Sequence, residues 1–215
     1  MTYALPLHEQ VLLLALDDER GTLPQPNADL AVAAAIVVEL HEAERIALGR
    51  ADVEVVDERP TGDIPLDAVL TAMTEGKPAS LTTWLQRLAE GADLRQATAE
   101  RLVDAGILER RAGAFFGLGP DRYPEAYGAA EDAVIARLTR AVSTDGEVDR
   151  PTRLLLSIAD AAQLLPLVID RKELKDYAER IEALTDGEAV GEAVRAALDE
   201  FLALISITVI TTTVT

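Results

Sequence analysis

Ala31-Val-Ala-Ala-Ala-Ile-Val-Val38 is the stretch that decides the fold. It lies inside a helix read over Leu30–Glu44, and it is apolar on every side. A helix with no polar face belongs at the centre of a structure, with other elements packed around it. The composition points the same way. Hydrophobic residues make up 49% of the 215-residue chain but aromatics only 4%. The core is therefore built from Leu, Val, Ile and Ala, and at helical spacing these pack helix on helix. The expected fold class is mainly α, a helical bundle ringed by amphipathic helices with one or two short β-hairpins. The expected organisation is a single domain over 1–215.

On the N-terminal side, Val11-Leu-Leu-Leu-Ala-Leu16 fits a short buried helix opening near Pro6, a favoured first-turn residue. Asp17-Asp-Glu-Arg-Gly21 ends it, and the Pro24, Pro26, Asn27 cluster is a loop from which Asn27 or Asp29 can cap the central helix. On the C-terminal side, Arg45–Leu48 and Asp52–Val56 read as two strands around Gly49-Arg-Ala51, the second alternating with the strand period. Pro60-Thr-Gly-Asp63 is a turn, and Asp63 and Pro65 open a helix over Leu66–Thr74 that Gly76-Lys-Pro78 breaks. Ser80 caps a helix carrying Trp84, Leu85 and Leu88 that stops at Gly91, and Leu94–Asp104 is the next helix.

Ala99 to Gly119 then reads as a helix end, a glycine stop at Gly106, a short strand, a tight turn and a second strand. The turn carries Phe115 and Phe116, with Leu118 beside them, and two of the chain's three phenylalanines stand side by side at a hairpin tip. Soluble proteins normally bury such residues. The tip is therefore a core plug, an oligomer contact or a membrane wedge. Both strand pairs follow a helix, which makes a faint internal repeat with the look of a winged helix.

From Glu125 the chain is helical: Ala129–Val142, then Thr152–Leu165 opened by Pro151, a kink or division at Pro166, Arg171–Ala183, and Val190–Ile205. After Glu200 no charge remains. The Thr- and Val-rich segment 206–215 is expected to be frayed or extended, and the uncharged stretch falls short of the ~20 residues that span a bilayer.

A formal charge of −18 opposes nucleic-acid binding, which needs a basic footprint, and opposes unspecific adhesion to anionic membranes. With no cysteine, disulfides and thiolate chemistry are excluded. Met1–Leu16 has no basic start and is broken by His8 and Glu9, so no signal peptide is expected and the expected location is the cytoplasm, extending to the inner face of the membrane. His8 and His41 are the only histidines. Glu39, His41, Glu42 and Glu44 scatter around a helix axis rather than converging, so no metal or other cofactor is expected. Gly76-Lys77 with Ser80 lacks the leading glycine of a phosphate loop, and Pro78 stands where the helix should begin. No nucleophile elbow or paired-carboxylate motif is present, and the chain is expected to be non-enzymatic.

Residues 95–111 are the least acidic functional-looking region, at +1 against −19 for the rest of the chain. Arg95, Arg110 and Arg111 are candidate headgroup ligands, because guanidinium groups make charge-assisted forks to phosphate. Phe115, Phe116 and Leu118 are the candidate membrane or oligomer contacts. The plain alternative is surface ion pairs, with the phenylalanines filling the domain's own core.

Several of these stretches together resemble the Golgi phosphoprotein 3 family: Leu5 through Gly21, Val38-Glu-Leu40 with Arg45 following, Pro60-Thr-Gly-Asp63 with Leu66-Asp67, Thr83-Trp-Leu85, and Arg101-Leu-Val-Asp-Ala-Gly-Ile-Leu108 with its hairpin. The Ala-rich, Lys-poor composition suits a bacterial, actinobacterial member. The resemblance implies a helical domain with a protruding hydrophobic hairpin and a peripheral membrane adaptor that binds phosphatidylinositol 4-phosphate. It also implies a protein client of unknown identity and self-association through the hairpin. Of the family's lipid-pocket residues, the Trp falls in the loop between Pro24 and Pro26, one Arg near Ala33 and another near Ala92. Only the last falls on an arginine, Arg95. The alternative is a cytosolic interaction scaffold that keeps the fold and uses the hairpin for oligomer contacts.

Overall fold

The computed structural model describes residues 5–16, 27–49, 51–91, 93–112, 121–126, 129–187 and 189–212, the side chains of 204–212 excepted. In chain order the described elements are α1 (Leu7–Ala15), α2 (Ala28–Glu42), β1 (Ile46–Leu48), β2 (Val53–Val55), α3 (Ile64–Glu75), α4 (Leu81–Gly91), α5 (Leu94–Asp104), α6 (Ala129–Ser143), α7 (Arg150–Ala161), α8 (Leu165–Val168), α9 (Arg171–Asp176), α10 (Ala178–Thr185) and α11 (Ala189–Thr212). The protein is mainly helical, with one small antiparallel sheet in which Ile46 faces Val55 and Leu48 faces Val53.

α2 is the central helix, as its all-round apolar sequence requires. Every residue from Leu30 to Val38 is buried. It packs on α1, α3, α4, α5, α7 and α11 and touches β1. Alanines at 31, 33, 34 and 35 let these neighbours approach closely, while Leu30, Ile36 and Leu40 fill the space between them. Each such large side chain taken out of water stabilises the fold by about 1.5–3 kcal/mol. One connected core runs from Val11 to Leu198.

Three helices end in the same way. Glu44, Gly106 and Gln163 adopt left-handed φ of 56°, 71° and 59°. The following amide reaches back five residues in each case: Arg45 N to Leu40 O, Ile107 N to Leu102 O and Leu164 N to Ala159 O, at 2.8–2.9 Å. This is the Schellman arrangement, which satisfies carbonyls the helix leaves open. Only Gly106 announces it in sequence; Glu44 and Gln163 adopt it at a cost of about 1 kcal/mol each. The shared exit from α2 and α5 is the structural content of the faint repeat, since in both places it turns the chain from helix into a strand pair.

The same exit corrects the reading of the C-terminal half. α7 begins at Arg150, capped by Asp149, whose Oδ1 accepts from Thr152 N at 2.9 Å. It ends at Ala161, before Pro166, because the left-handed Gln163 has already turned the chain. Pro166 therefore opens α8 instead of kinking α7. The helix expected over Arg171–Ala183 divides at Tyr177 into α9 and α10. Asn27 stands at the start of α2, but its side chain makes no cap there and instead donates to Ala162 O. α11 stays helical to Thr212, where the sequence reading expects a frayed or extended tail. A helix once nucleated gains one hydrogen bond per added residue, which offsets the few tenths of a kcal/mol each β-branched residue costs. Among the described residues no helix is long and apolar enough to cross a membrane.

Candidate functional site

The second strand pair sits on α5. Leu108 pairs with Glu125 and Arg111 with Arg122, antiparallel. Among the described residues the returning arm is 122–125, and the tight turn and second strand read up to Gly119 fall on residues outside those described. Between the two bridges Glu109 N donates to Pro124 O at 2.9 Å, but Pro124 has no N–H to return. That missing donor keeps the stem from being a continuous ladder. The stem is tied to the core by Leu108 and Tyr123, both buried, and the Tyr123 hydroxyl donates to Glu100 Oε1 of α5 at 3.0 Å. Burial and this carboxylate neighbour push the Tyr123 phenol up to about 12. Phe115, Phe116 and Leu118 lie outside the described residues.

The three candidate arginines are not brought together. Arg95 stands at the start of α5, its Nε 3.2 Å from Asp29 Oδ1 in the first turn of α2. Arg110 bonds Asp121 across the stem at 2.7 Å and lies 3.3 Å from Glu100 Oε1. Arg111 bonds Glu109 at 2.9 Å. Strand alternation puts Arg110 and Tyr123 on one face of the stem and Arg111 and Arg122 on the other. Arg110 and Arg111 therefore cannot serve one small headgroup together without local rearrangement. All three are between 43% and 61% exposed, and every one already has a carboxylate partner.

A different set of charged residues does converge, at the N-terminus of α1. Pro6 supplies no side-chain cap to α1. Glu39, projecting from α2, takes that role: its two oxygens accept from Leu7 N at 2.9 Å and His8 N at 3.2 Å. His8 is fully buried, and its Nδ1 bonds the same carboxylate at 2.5 Å. Its Nε2 lies 3.9 Å from Asp63 Oδ1 and has no hydrogen-bond partner. Asp63 caps α3 through Leu66 N and meets Arg101 Nη2 at 3.1 Å. Arg101 Nε closes the circuit by bonding the buried Glu9 at 2.9 Å. Helices α1, α2, α3 and α5 are thus stitched by His8, Glu9, Glu39, Asp63 and Arg101.

This knot was not legible as such in the sequence, where its members are spread from position 8 to position 101. One signal did exist. Glu9, Glu39, Asp63 and Arg101 each fall inside a stretch that carries the family resemblance. Nearby signature residues do similar structural work. Arg45 and Arg59 clamp Asp57 at 2.5 and 2.6 Å, and Asp67 gathers the Thr61 and Gly62 amides and the Thr61 hydroxyl. Glu39, grouped in sequence with His41, Glu42 and Glu44 as residues scattered around a helix axis, is a half-buried cap for another helix.

The family model for Golgi phosphoprotein 3 (GPP34) matches residues 7–201. "Vacuolar protein sorting-associated protein 74" of Eremothecium gossypii is 28% identical over 158 residues, covering 62% of this chain and 48% of the relative. The protein of the same name from Schizosaccharomyces pombe is 27% identical over 164 residues, covering 65% and 49%. The chain therefore matches over about half the length of these relatives. The matched span takes in the central helix, the buried knot and the hairpin stem, and the chain belongs to the Golgi phosphoprotein 3 family.

Proposed function

We propose that this chain is a non-enzymatic peripheral membrane protein that docks through the hairpin of residues 107–126. Arg95 meets the phosphate of an anionic phospholipid headgroup, Arg110 or Arg111 adds a separate headgroup contact on the stem, and Phe115, Phe116 and Leu118 enter the apolar zone below. The observation that carries this reading is the build of the stem. Its base is locked into the core by Leu108 and Tyr123, while Arg110 and Arg111 are more than half exposed and held only by surface carboxylates. Exposed pairs of this kind contribute about 0–1 kcal/mol, so a phosphate can replace the carboxylate at little cost. Family membership and the sorting-associated names of the relatives support the same assignment. The Ala-rich, Lys-poor composition supports a bacterial, actinobacterial source, the net charge of −18 opposes nucleic acid, and the adaptor reading brings with it a place at the inner face of the membrane and a protein client of unknown identity.

Liposome flotation with and without phosphatidylinositol 4-phosphate tests it. Wild type should float with anionic vesicles, and Phe115→Ala/Phe116→Ala should not. If wild type stays in the soluble fraction with every vesicle, membrane docking is lost. The carboxylate at every candidate arginine and the net charge of −18 favour one rival, a cytosolic scaffold that self-associates through the same hairpin. Sedimentation separates the two. The scaffold requires the double variant to dissociate in the absence of lipid, and an unchanged assembly state excludes it.

A further inference from the structure

Lined by no residue of the hairpin stem, a cleft of about 800 Å³ lies among the C-terminal helices, bounded by α7, α8, α9, α10 and α11. That size suits a small organic ligand. Its floor is apolar, with Leu165 and Ile181 buried and Leu174 and Pro166 along one wall. Arg195 also reaches the floor, but its guanidinium is already engaged by Asp160 and by the Thr185 hydroxyl. Burial pushes the Asp160 carboxyl up from its ordinary value, with Arg195 opposing. The Asp160–Arg195 pair is therefore internally neutralised and offers little net charge to a ligand.

The rim is not balanced. Its exposed charged lining is Glu182, Asp186, Glu192 and Arg171, three carboxylates against one guanidinium. Helix termini of both signs line the cleft: α7 and α10 end on it at Asp160, Gln163, Thr185 and Asp186, and α9, α10 and α11 begin on it at Arg171, Ala178 and Glu192, so the imbalance lies in the side chains. Glu192 accepts from Gly187 N at 2.8 Å.

We propose that this cleft binds a primary ammonium on a short aliphatic stem, with the stem lying on Leu165, Leu174 and Ile181 and the ammonium held at the rim between Glu182 and Asp186. This site is separate from the hairpin and does not depend on the membrane reading. An alkylammonium satisfies both parts of the lining at once. A carboxylate of the same length satisfies the floor alone and is repelled by the rim.

The test is a titration of the intact chain with n-hexylammonium and, separately, hexanoate at matched ionic strength, followed by amide chemical shifts. Hexylammonium should shift amides clustered in 160–195, and butylammonium should bind more weakly because its stem covers less of the floor. Glu182→Gln/Asp186→Asn removes two exposed charges, and it should weaken hexylammonium about tenfold while leaving the far-ultraviolet circular dichroism unchanged. Leu174→Ser should also weaken it. Hexanoate binding as well as hexylammonium, shifts scattered away from 160–195, no shift at all, or a double variant with unaltered affinity would each overturn the proposal.

Discussion

Replacing Arg101 by Met tests whether the family's most recognisable residues form a structural knot. Arg101 joins Glu9, whose side chain is only 5% exposed, to Asp63, at 17%. Removing the guanidinium leaves the Glu9 carboxylate buried without its cation. Breaking a fully buried pair costs about 3–5 kcal/mol. Arg101 itself is 31% exposed, so water replaces part of what is lost, and the expected cost falls to about 2–3 kcal/mol. For a chain of this size that corresponds to a Tm lowered by about 5–10 °C. Urea unfolding of wild type, Arg101→Met, Glu9→Gln and the double variant gives the coupling directly. The double variant should be more stable than the sum of the single losses predicts, by about 1–2 kcal/mol, because it removes charge and countercharge together. A loss below about 0.5 kcal/mol in Arg101→Met, or strictly additive losses in the cycle, refutes the knot as a stabilising unit.

Asp67 gives the pH dependence. Burial pushes its carboxyl up, but hydrogen bonds from Thr61 and Gly62 outweigh this and hold it below its ordinary value of 3.8. A carboxyl depressed by folding stabilises the fold above its unfolded pKa and loses that contribution as pH falls through its folded pKa. Asp67→Asn should therefore be less stable than wild type at pH 7, by about 1–2 kcal/mol, and the gap should close below about pH 4. A gap that stays constant from pH 7 to pH 3 contradicts this. Gly76→Ala is a steric test at the other end of α3. A Cβ there would lie 2.5 Å from Trp84 Cη2 and 2.7 Å from Ala72 O. The expected cost is about 1–3 kcal/mol, with a changed emission spectrum from Trp84, the only tryptophan.

What the sequence made legible is what local physics decides. The run Ala31–Val38 identified the central helix because a helix without a polar face has only one place to go, and Asp63 with Pro65 announced the start of α3 by ordinary capping chemistry. The strand pairs were visible because each begins just past a helix end, although only Gly106 marks the left-handed turn openly. Gln163 hid the end of α7, since a glutamine gives no sign that it will adopt positive φ. The three candidate arginines separate for a different reason. Arg95, Arg110 and Arg111 are close in sequence, yet strand alternation and the α5 exit send them to different places with different partners. The reverse held for the knot at α1. Its charges are distant in sequence and meet only because four helices converge, so spacing rules had nothing to act on. The resemblance registered those residues without revealing their work.

The docking claim is tested most directly at the hairpin tip itself. The chain has no cysteine, so Phe116→Cys carries a single environment-sensitive fluorophore without further substitution. On mixing with vesicles containing anionic lipid, the label should shift to the blue and become quenched by acyl-chain nitroxides. A control label outside the hairpin, at the exposed position Glu182→Cys, should stay in water. A tip label that remains water-accessible and unquenched while the protein floats with those same vesicles would contradict the account.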